Sequence, residues 1–305
     1  GRPRYRAGMD RGTRTDWIAD RALRGLIGGA LVLPYAARVR AMGATTRRLL
    51  GPLAGYGARA RANLAAIRPD LPEAERRRIA DAALDNMGRT LIENYGWRDL
   101  RARLAATVPA GEGLAALAAA RAEGRPVIFV TGHFGNYEAP RHVLTRMGHE
   151  IGGLYKPMGN PFFDAHYSRT MQDISGPVFA KGTGTIGFAR HLRGGGMATL
   201  LFDVRDTTGT AIPFLGRPAW TSLAAAQFAL RFDAELIPYF GRRRANGLDF
   251  DVDVEAPIPR SDPLEMTGEM TRRLEARIVA DPGQWFWIHR RWQAPSRGRT
   301  VSARR

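Results

Sequence analysis

The feature that most constrains this chain is a run of short apolar segments, each followed by a helical pattern, that begins at Val127. Val127-Ile-Phe-Val130 is apolar at every position, which marks a strand covered on both faces. Beyond it the pattern predicts helix 138–147, strand 151–155, helix 161–172, strand 177–180, helix 185–193 and strand 197–202. Helix 219–232 and strand 235–240 follow. Asp249-Phe-Asp-Val-Asp-Val254 alternates strictly and reads as a half-exposed edge strand. Met266, Met270, Leu274 and Ile278 recur at i+4, so 263–280 reads as a helix packed on one face. Strands that alternate with helices predict an α/β fold, with a central mixed, mostly parallel sheet flanked by helices.

The chain ahead of residue 111 reads differently. Residues 58–67 and 73–104 carry helical spacing, and an Ala-rich helix is expected at 113–123. The apolar run Gly25–Ala37 lies between Arg24 and Arg38 and is 13 residues long, whereas a bilayer-spanning helix needs roughly 20. Gly28, Gly29 and Pro34 make it a poor soluble helix. With basic flanks it reads as a segment lying in a membrane interface. The expected organisation is a basic extension (1–15), a helical membrane-facing region (16–110), an α/β domain (111–293) and a basic tail (294–305).

Charge supports that division. Net charge is +17, yet residues 1–48 hold eleven arginines against three aspartates, and 289–305 hold six arginines and no acid. Cationic ends around a nearly balanced body suit an anionic membrane surface. No recognised nucleic-acid motif accompanies them, so nucleic acid is not expected as a partner. With no cysteine, disulfides, thiolate metal sites and thiol nucleophiles are excluded. The histidines lack ligand-like spacing, so neither a metal site nor a cofactor is expected. Gly182-Thr-Gly-Thr-Ile-Gly187 matches the dinucleotide fingerprint only superficially and reads as a turn into a helix.

Chemistry is expected where the first strand ends, in Thr131-Gly-His-Phe-Gly-Asn-Tyr-Glu138. Ligands of open α/β sheets sit beyond the carboxyl ends of strands. His133 and Glu138 would diverge on a continuous helix but can converge across a glycine turn. A carboxylate on one imidazole nitrogen fixes the tautomer and frees the other as a base. Taken alone, so short a pattern reads first as a loop histidine that caps a helix. Asn136 suits a helix N-cap. Asp203 ends a strand and reads as a rim residue or a turn cap. Arg169 and Lys156 read as anion-facing or simply solvated.

The His-x4-Glu block resembles that of the bacterial late acyltransferases of lipid A biosynthesis, and four further blocks agree in order. These are Tyr155-Lys-Pro-Met-Gly-Asn-Pro-Phe-Phe-Asp164 with Arg169, Leu201-Phe-Asp203 with Ile212-Pro-Phe-Leu-Gly216, Ala234-Glu-Leu-Ile-Pro238 with Arg242, and Gln284-Trp-Phe-Trp-Ile-His-Arg-Arg-Trp292. Tyr137 stands where tryptophan is common in the family, and Lys156 where arginine is common. The resemblance implies a glycerolipid-acyltransferase-like fold and a membrane-associated O-acyltransferase at the cytoplasmic side of the inner membrane. It implies acyl carrier protein thioesters as donor and a lipid A precursor as acceptor, without a cofactor. The alternative is a different glycolipid acceptor, such as a phosphatidylinositol mannoside, with acyl-CoA. His133 would then be the general base, oriented by Glu138. Lys156, Arg169, Asp203 and Asn136 would contact substrate, with Asp203 ordering Arg169 or a substrate hydroxyl. An acyl channel lined by Phe134, Phe162 and Phe214 is expected near His133.

Overall fold

The computed structural model describes residues 12–293. The first part of the chain is helical: α1 (Arg14–Leu31), α2 (Tyr35–Thr45), α3 (Gly51–Leu53), α4 (Tyr56–Ile67), α5 (Glu73–Tyr95) and α6 (Trp97–Arg103), with a π-helical turn Thr46–Leu50 before α3. A capping box starts α1. Thr13 Oγ1 accepts the Asp16 N–H at 3.1 Å, and the Asp16 carboxylate accepts the Thr13 N–H at 2.8 Å. The apolar run expected at 25–37 is therefore the end of α1, a turn at Pro34 and the start of α2. Proline suits the position before a helix but not its interior. The single helix expected over 73–104 breaks at Gly96 into α5 and α6. A Cβ at Gly96 would stand 2.6 Å from the Arg38 guanidinium.

After α7 (Gly113–Ala122) the chain alternates: β1 (Val127–Thr131), α8 (Ala139–Arg146), β2 (Ile151–Tyr155), α9 (Pro161–Ile174), β3 (Val178–Ala180), α10 (Thr185–Arg193) and β4 (Met197–Leu201). Then come β5 (Thr210–Phe214), β6 (Arg217–Thr221), α11 (Ala224–Phe232), β7 (Glu235–Arg243), β8 (Phe250–Val254) and α12 (Pro263–Ala280). Six strands form one sheet in the order β3-β2-β4-β1-β7-β8. All neighbours are parallel except β7 and β8, and β8 is an edge whose residues alternate buried and half-buried. The mixed, mostly parallel α/β sheet follows the sequence expectation.

One segment departs from it. Helix 219–232 begins only at Ala224, because Arg217–Thr221 pairs with Thr210–Phe214 in a separate hairpin. Leu215 and Gly216 both take positive φ, 49° and 77°, as a two-residue hairpin turn of matching twist requires. Pro213 lies opposite Pro218. A two-stranded ribbon tolerates both, since each strand has a free edge.

Strand β1 sits at the centre of the molecule. Ile128 and Val130 belong to one buried cluster with Ala60, Leu64, Ile79 and Ala83 of α4 and α5, while Val127 and Phe129 belong to a second with Leu117 and Leu144. The helical region and the sheet thus share one core. Each buried Val, Leu, Ile or Phe side chain among these contributes about 1.5–3 kcal/mol. Among the described residues, no helix is long and apolar enough to cross a membrane. Trp17, Ile18, Val32, Leu33, Leu49 and Leu53, all on or between α1, α2 and α3, are exposed. Ile27, within the apolar run, instead turns inward against Val39 and Met42. The first residues of the basic extension and the tail from 294 lie outside the described residues.

Candidate active site

The site follows from the register of two neighbouring strands. Thr131, the last residue of β1, pairs with Leu201, the last of β4. His133 and Asp203 each lie two residues beyond those ends and so face one another. Asp203 Oδ1 lies 2.8 Å from His133 Nδ1, and Oδ2 accepts the His133 backbone N–H at 2.7 Å. Oδ2 also accepts Trp285 Nε1–H at 2.9 Å. Burial alone would push the Asp203 carboxyl up. The charge of the His133 ring and these hydrogen bonds outweigh it and hold the carboxyl well below the usual carboxylate range. Asp203 is therefore an acceptor only, and Nδ1 carries the proton. Nε2 is left as the basic nitrogen.

The ring is fixed by packing as well. Phe286 stacks on it with centroids 5.2 Å apart, and Tyr137 meets it edge-on at 5.4 Å. The turn that carries it needs glycine. Gly135 takes φ +57°, and a Cβ there would overlap the Gly241 carbonyl. Gly132 backs onto Asp203, where a Cβ would stand 2.9 Å from Oδ2. The Gly135 carbonyl accepts from Asn86 and Thr90 of α5, each at 2.9 Å. Beneath the turn, Glu93 and Arg243 form a buried bidentate pair at 2.5 and 2.8 Å.

This geometry corrects several sequence expectations. Asp203 holds His133, and no hydrogen bond joins Glu138 to the ring. Glu138 is buried and pairs with Arg141 at 3.1 Å. Arg141 also donates to the carbonyls of Ile151 and Ser175, which fixes α8 against β2. Asn136 is fully buried rather than substrate-facing. Its amide nitrogen donates to Glu93 at 2.9 Å, and its Oδ1 accepts the Glu138 N–H at 3.0 Å. It organises the turn ahead of the helix, whose N-cap position is Glu138. Arg169 is exposed on α9 and lines neither cavity at His133. Lys156 does lie at the rim. Phe134 and Phe214 are buried in the core, and Phe162 lines neither cavity.

Two cavities meet at His133. One, of about 540 Å³, runs between the helical region and the sheet and is lined by Leu23, Leu50, Met87, Leu91, Phe163, Trp285 and Phe286, among others. It is mostly apolar. The other, of about 290 Å³, passes Glu138, Arg141, Thr199, Lys156, Arg205 and His289 and is more polar. Tyr137, Met158 and Tyr167 border both. The two tyrosine hydroxyls lie 2.9 Å apart, and Asn94 donates to Tyr167 at 3.1 Å. Burial pushes both phenols up, so they stay neutral. His289, also beside His133, is pushed down to about 4 by burial and is neutral at neutral pH.

The tail block serves mainly as structure. Trp285 and Trp287 are buried and meet edge-on at 4.9 Å. Arg291 is fully buried, lies over Phe214 and donates to Thr221 Oγ1 at 2.6 Å, which pins the tail to the hairpin. The Trp285–Asp203 bond is a site contact that sequence reasoning missed.

Comparison with known proteins supports the family resemblance. A family model described as bacterial lipid A biosynthesis acyltransferase matches residues 15–294. A lipid A biosynthesis acyltransferase of Haemophilus influenzae is 25% identical over 262 residues, 80% of this chain and 79% of that protein. A lipid A biosynthesis lauroyltransferase of Escherichia coli is 25% identical over 254 residues, 77% and 78% of the two chains. A second Haemophilus influenzae protein of the first description is 26% identical over 179 residues, 58% of this chain and 56% of its own length; over that match the chain spans little more than half of the relative.

Proposed function

The chain belongs to the bacterial lipid A biosynthesis acyltransferases, and from that premise we propose that it moves a fatty acyl chain from an acyl carrier protein thioester to a hydroxyl of a lipid A precursor. The observation that carries this reading is the imidazole of His133. One of its nitrogens is tied to an ionised, buried Asp203, and the ring stands where an apolar cavity meets one that carries charged side chains.

In the proposed reaction the acyl chain lies in the apolar cavity, where each buried methylene contributes about 0.8 kcal/mol. The acceptor hydroxyl gives its proton to His133 Nε2 as its oxygen attacks the thioester carbonyl. Asp203 stabilises the imidazolium that forms. The tetrahedral oxyanion collapses, the carbon–sulfur bond breaks, and the departing thiolate takes the proton from Nε2. Ester and free thiol result. General-base assistance of this kind is worth about 10²–10⁴-fold. Glu138 acts through Arg141 on the wall of the second cavity, and Lys156 faces the acceptor at its rim.

The exposed apolar residues of α1–α3 would rest in the cytoplasmic face of the inner membrane, with neighbouring arginines on anionic headgroups. The test is transfer by purified protein in detergent micelles, offered acyl carrier protein and coenzyme A thioesters with a tetra-acylated lipid A precursor. One added acyl mass from the carrier-protein donor, lost in His133→Ala, is the expected result. Transfer that survives His133→Ala would sink the assignment. Binding to anionic vesicles, weakened by Trp17→Ser with Ile18→Ser, checks the membrane face.

A further inference from the structure

The two cavities share a mouth that neither the motif nor the acyl chain explains. It is a recess of about 400 Å³ into which Arg59, Lys156, Arg205 and Arg290 all project, with no acidic residue in its lining. The four cations come from four separate parts of the chain: α4, the loop after β2, the loop after β4 and the C-terminal segment. Many arginines among the described residues sit against carboxylates, as Arg76 does with Glu73 or Arg277 with Glu255. Arg59, Lys156 and Arg290 have no carboxylate partner among the described residues. Arg59 is nevertheless held in place. Its guanidinium lies over the Tyr56 ring at 5.7 Å, and Nη1 contacts the Ile288 carbonyl at 3.5 Å.

Cations that converge on one recess repel one another, and a bound dianion offsets that repulsion. Guanidinium groups match phosphate oxygens in pairs, and ammonium adds a point charge. Position narrows the ligand further. Tyr56 and Ile288 are common to the mouth and the larger cavity, and Lys156, Arg205 and His289 to the mouth and the smaller one. A phosphate held at the mouth can therefore belong to a molecule whose hydrocarbon enters beside His133.

We propose that Arg59, Lys156, Arg205 and Arg290 form a binding site for a phosphate group of an amphiphilic substrate. Where the phosphate comes from rests on the acyl-transfer reading: a sugar phosphate of the acceptor or the phosphodiester of the donor's pantetheine arm. The site itself does not rest on it.

Two measurements decide it. The first is binding of dodecyl phosphate below its micellar concentration, read by tryptophan fluorescence, against the uncharged dodecyl maltoside. Wild type is expected to prefer the phosphate by at least tenfold, and Arg59→Gln with Lys156→Gln and Arg290→Gln to lose the preference. Equal binding of both amphiphiles by folded wild type overturns the proposal whether or not the protein transfers acyl groups. The second is acyl transfer. The triple variant is expected to raise KM by at least tenfold and to change kcat far less. If the acceptor supplies the phosphate, the penalty disappears with a phosphatase-treated acceptor. If the donor supplies it, the penalty disappears with an acyl-pantetheine donor that lacks the phosphodiester. A penalty that survives both deletions overturns the proposal. Phosphate preference without any transfer leaves the site standing and overturns the acyltransferase reading.

Discussion

Replacing Asp203 by asparagine tests the His133–Asp203 pair by exchanging one oxygen for an NH2 group. The amide has one acceptor and one donor end. Oδ2 faces two donors, the His133 backbone N–H and the Trp285 Nε1–H. Turning the NH2 toward them would leave buried donors unsatisfied, each costing about 1–3 kcal/mol. The amide oxygen therefore takes the Oδ2 position and presents its NH2 to His133 Nδ1. Nδ1 must then accept, the ring proton moves to Nε2, and the nitrogen that should take the acceptor's proton is blocked. The expected loss is about 10⁴-fold in kcat, the size of effect when an orienting carboxylate gives way to an amide that imposes the wrong tautomer. That is about 5.5 kcal/mol at 1.36 kcal/mol per decade.

The assay is single-turnover acyl transfer, with proton NMR of the downfield Nδ1–H as an independent readout. Asp203→Asn should lose both the rate and that signal. Glu138→Gln should lower Tm and rate by weakening the buried pair with Arg141, while the Nδ1–H signal persists. Asp203→Asn protein with wild-type kcat, or loss of the Nδ1–H signal only in Glu138→Gln, would refute the argument and return the orienting role to Glu138.

Further outcomes are expected. Met87→Trp should fill part of the apolar cavity and move donor preference toward shorter chains, at about fourfold per methylene from 0.8 kcal/mol each. Mass spectrometry of products from mixed donors reads this directly, and an unchanged distribution would place the chain elsewhere. Gly135→Ala should lower stability by about 1–3 kcal/mol from positive φ alone, and by more through overlap with Gly241; urea denaturation measures it. Glu93→Ala strands Arg243 in the core and should cost about 3–5 kcal/mol, again by denaturation. Stability should also fall in acid. Burial pushes His142 down to about 3 and His289 to about 4, from an ordinary value near 6.5. Between pH 6.5 and 4 the unfolded chain therefore binds up to two more protons than the folded one. Stability should drop by as much as about 2.7 kcal/mol per pH unit as pH falls through that window. A flat profile there would refute the burial argument.

How far the molecule was legible in its sequence depends on the distance over which each interaction acts. Continuous burial of β1, alternation along β8 and the stripe on α12 are local patterns, and each element lies within a residue or two of its expected bounds. The β5–β6 hairpin was hidden because its strands carry Pro213 and Pro218, and its turn depends on positive φ at Leu215 as well as Gly216. A leucine in that conformation leaves no sign in composition.

The site divides along the same line. His133 announced itself by following a buried strand. Its partner did not, because His-x4-Glu is a proximity in sequence, whereas His133–Asp203 is a proximity in register. Two residues beyond the end of β1 meet two residues beyond the end of β4 only because Thr131 pairs with Leu201. That pairing in turn requires β4 to enter the sheet between β2 and β1. Glu138, nearer in the chain, is carried by the Gly135 turn into the pair with Arg141. The strand order of the sheet therefore decides which carboxylate serves the histidine. A change that shifts β4 by one residue against β1 would disable the site without touching either side chain.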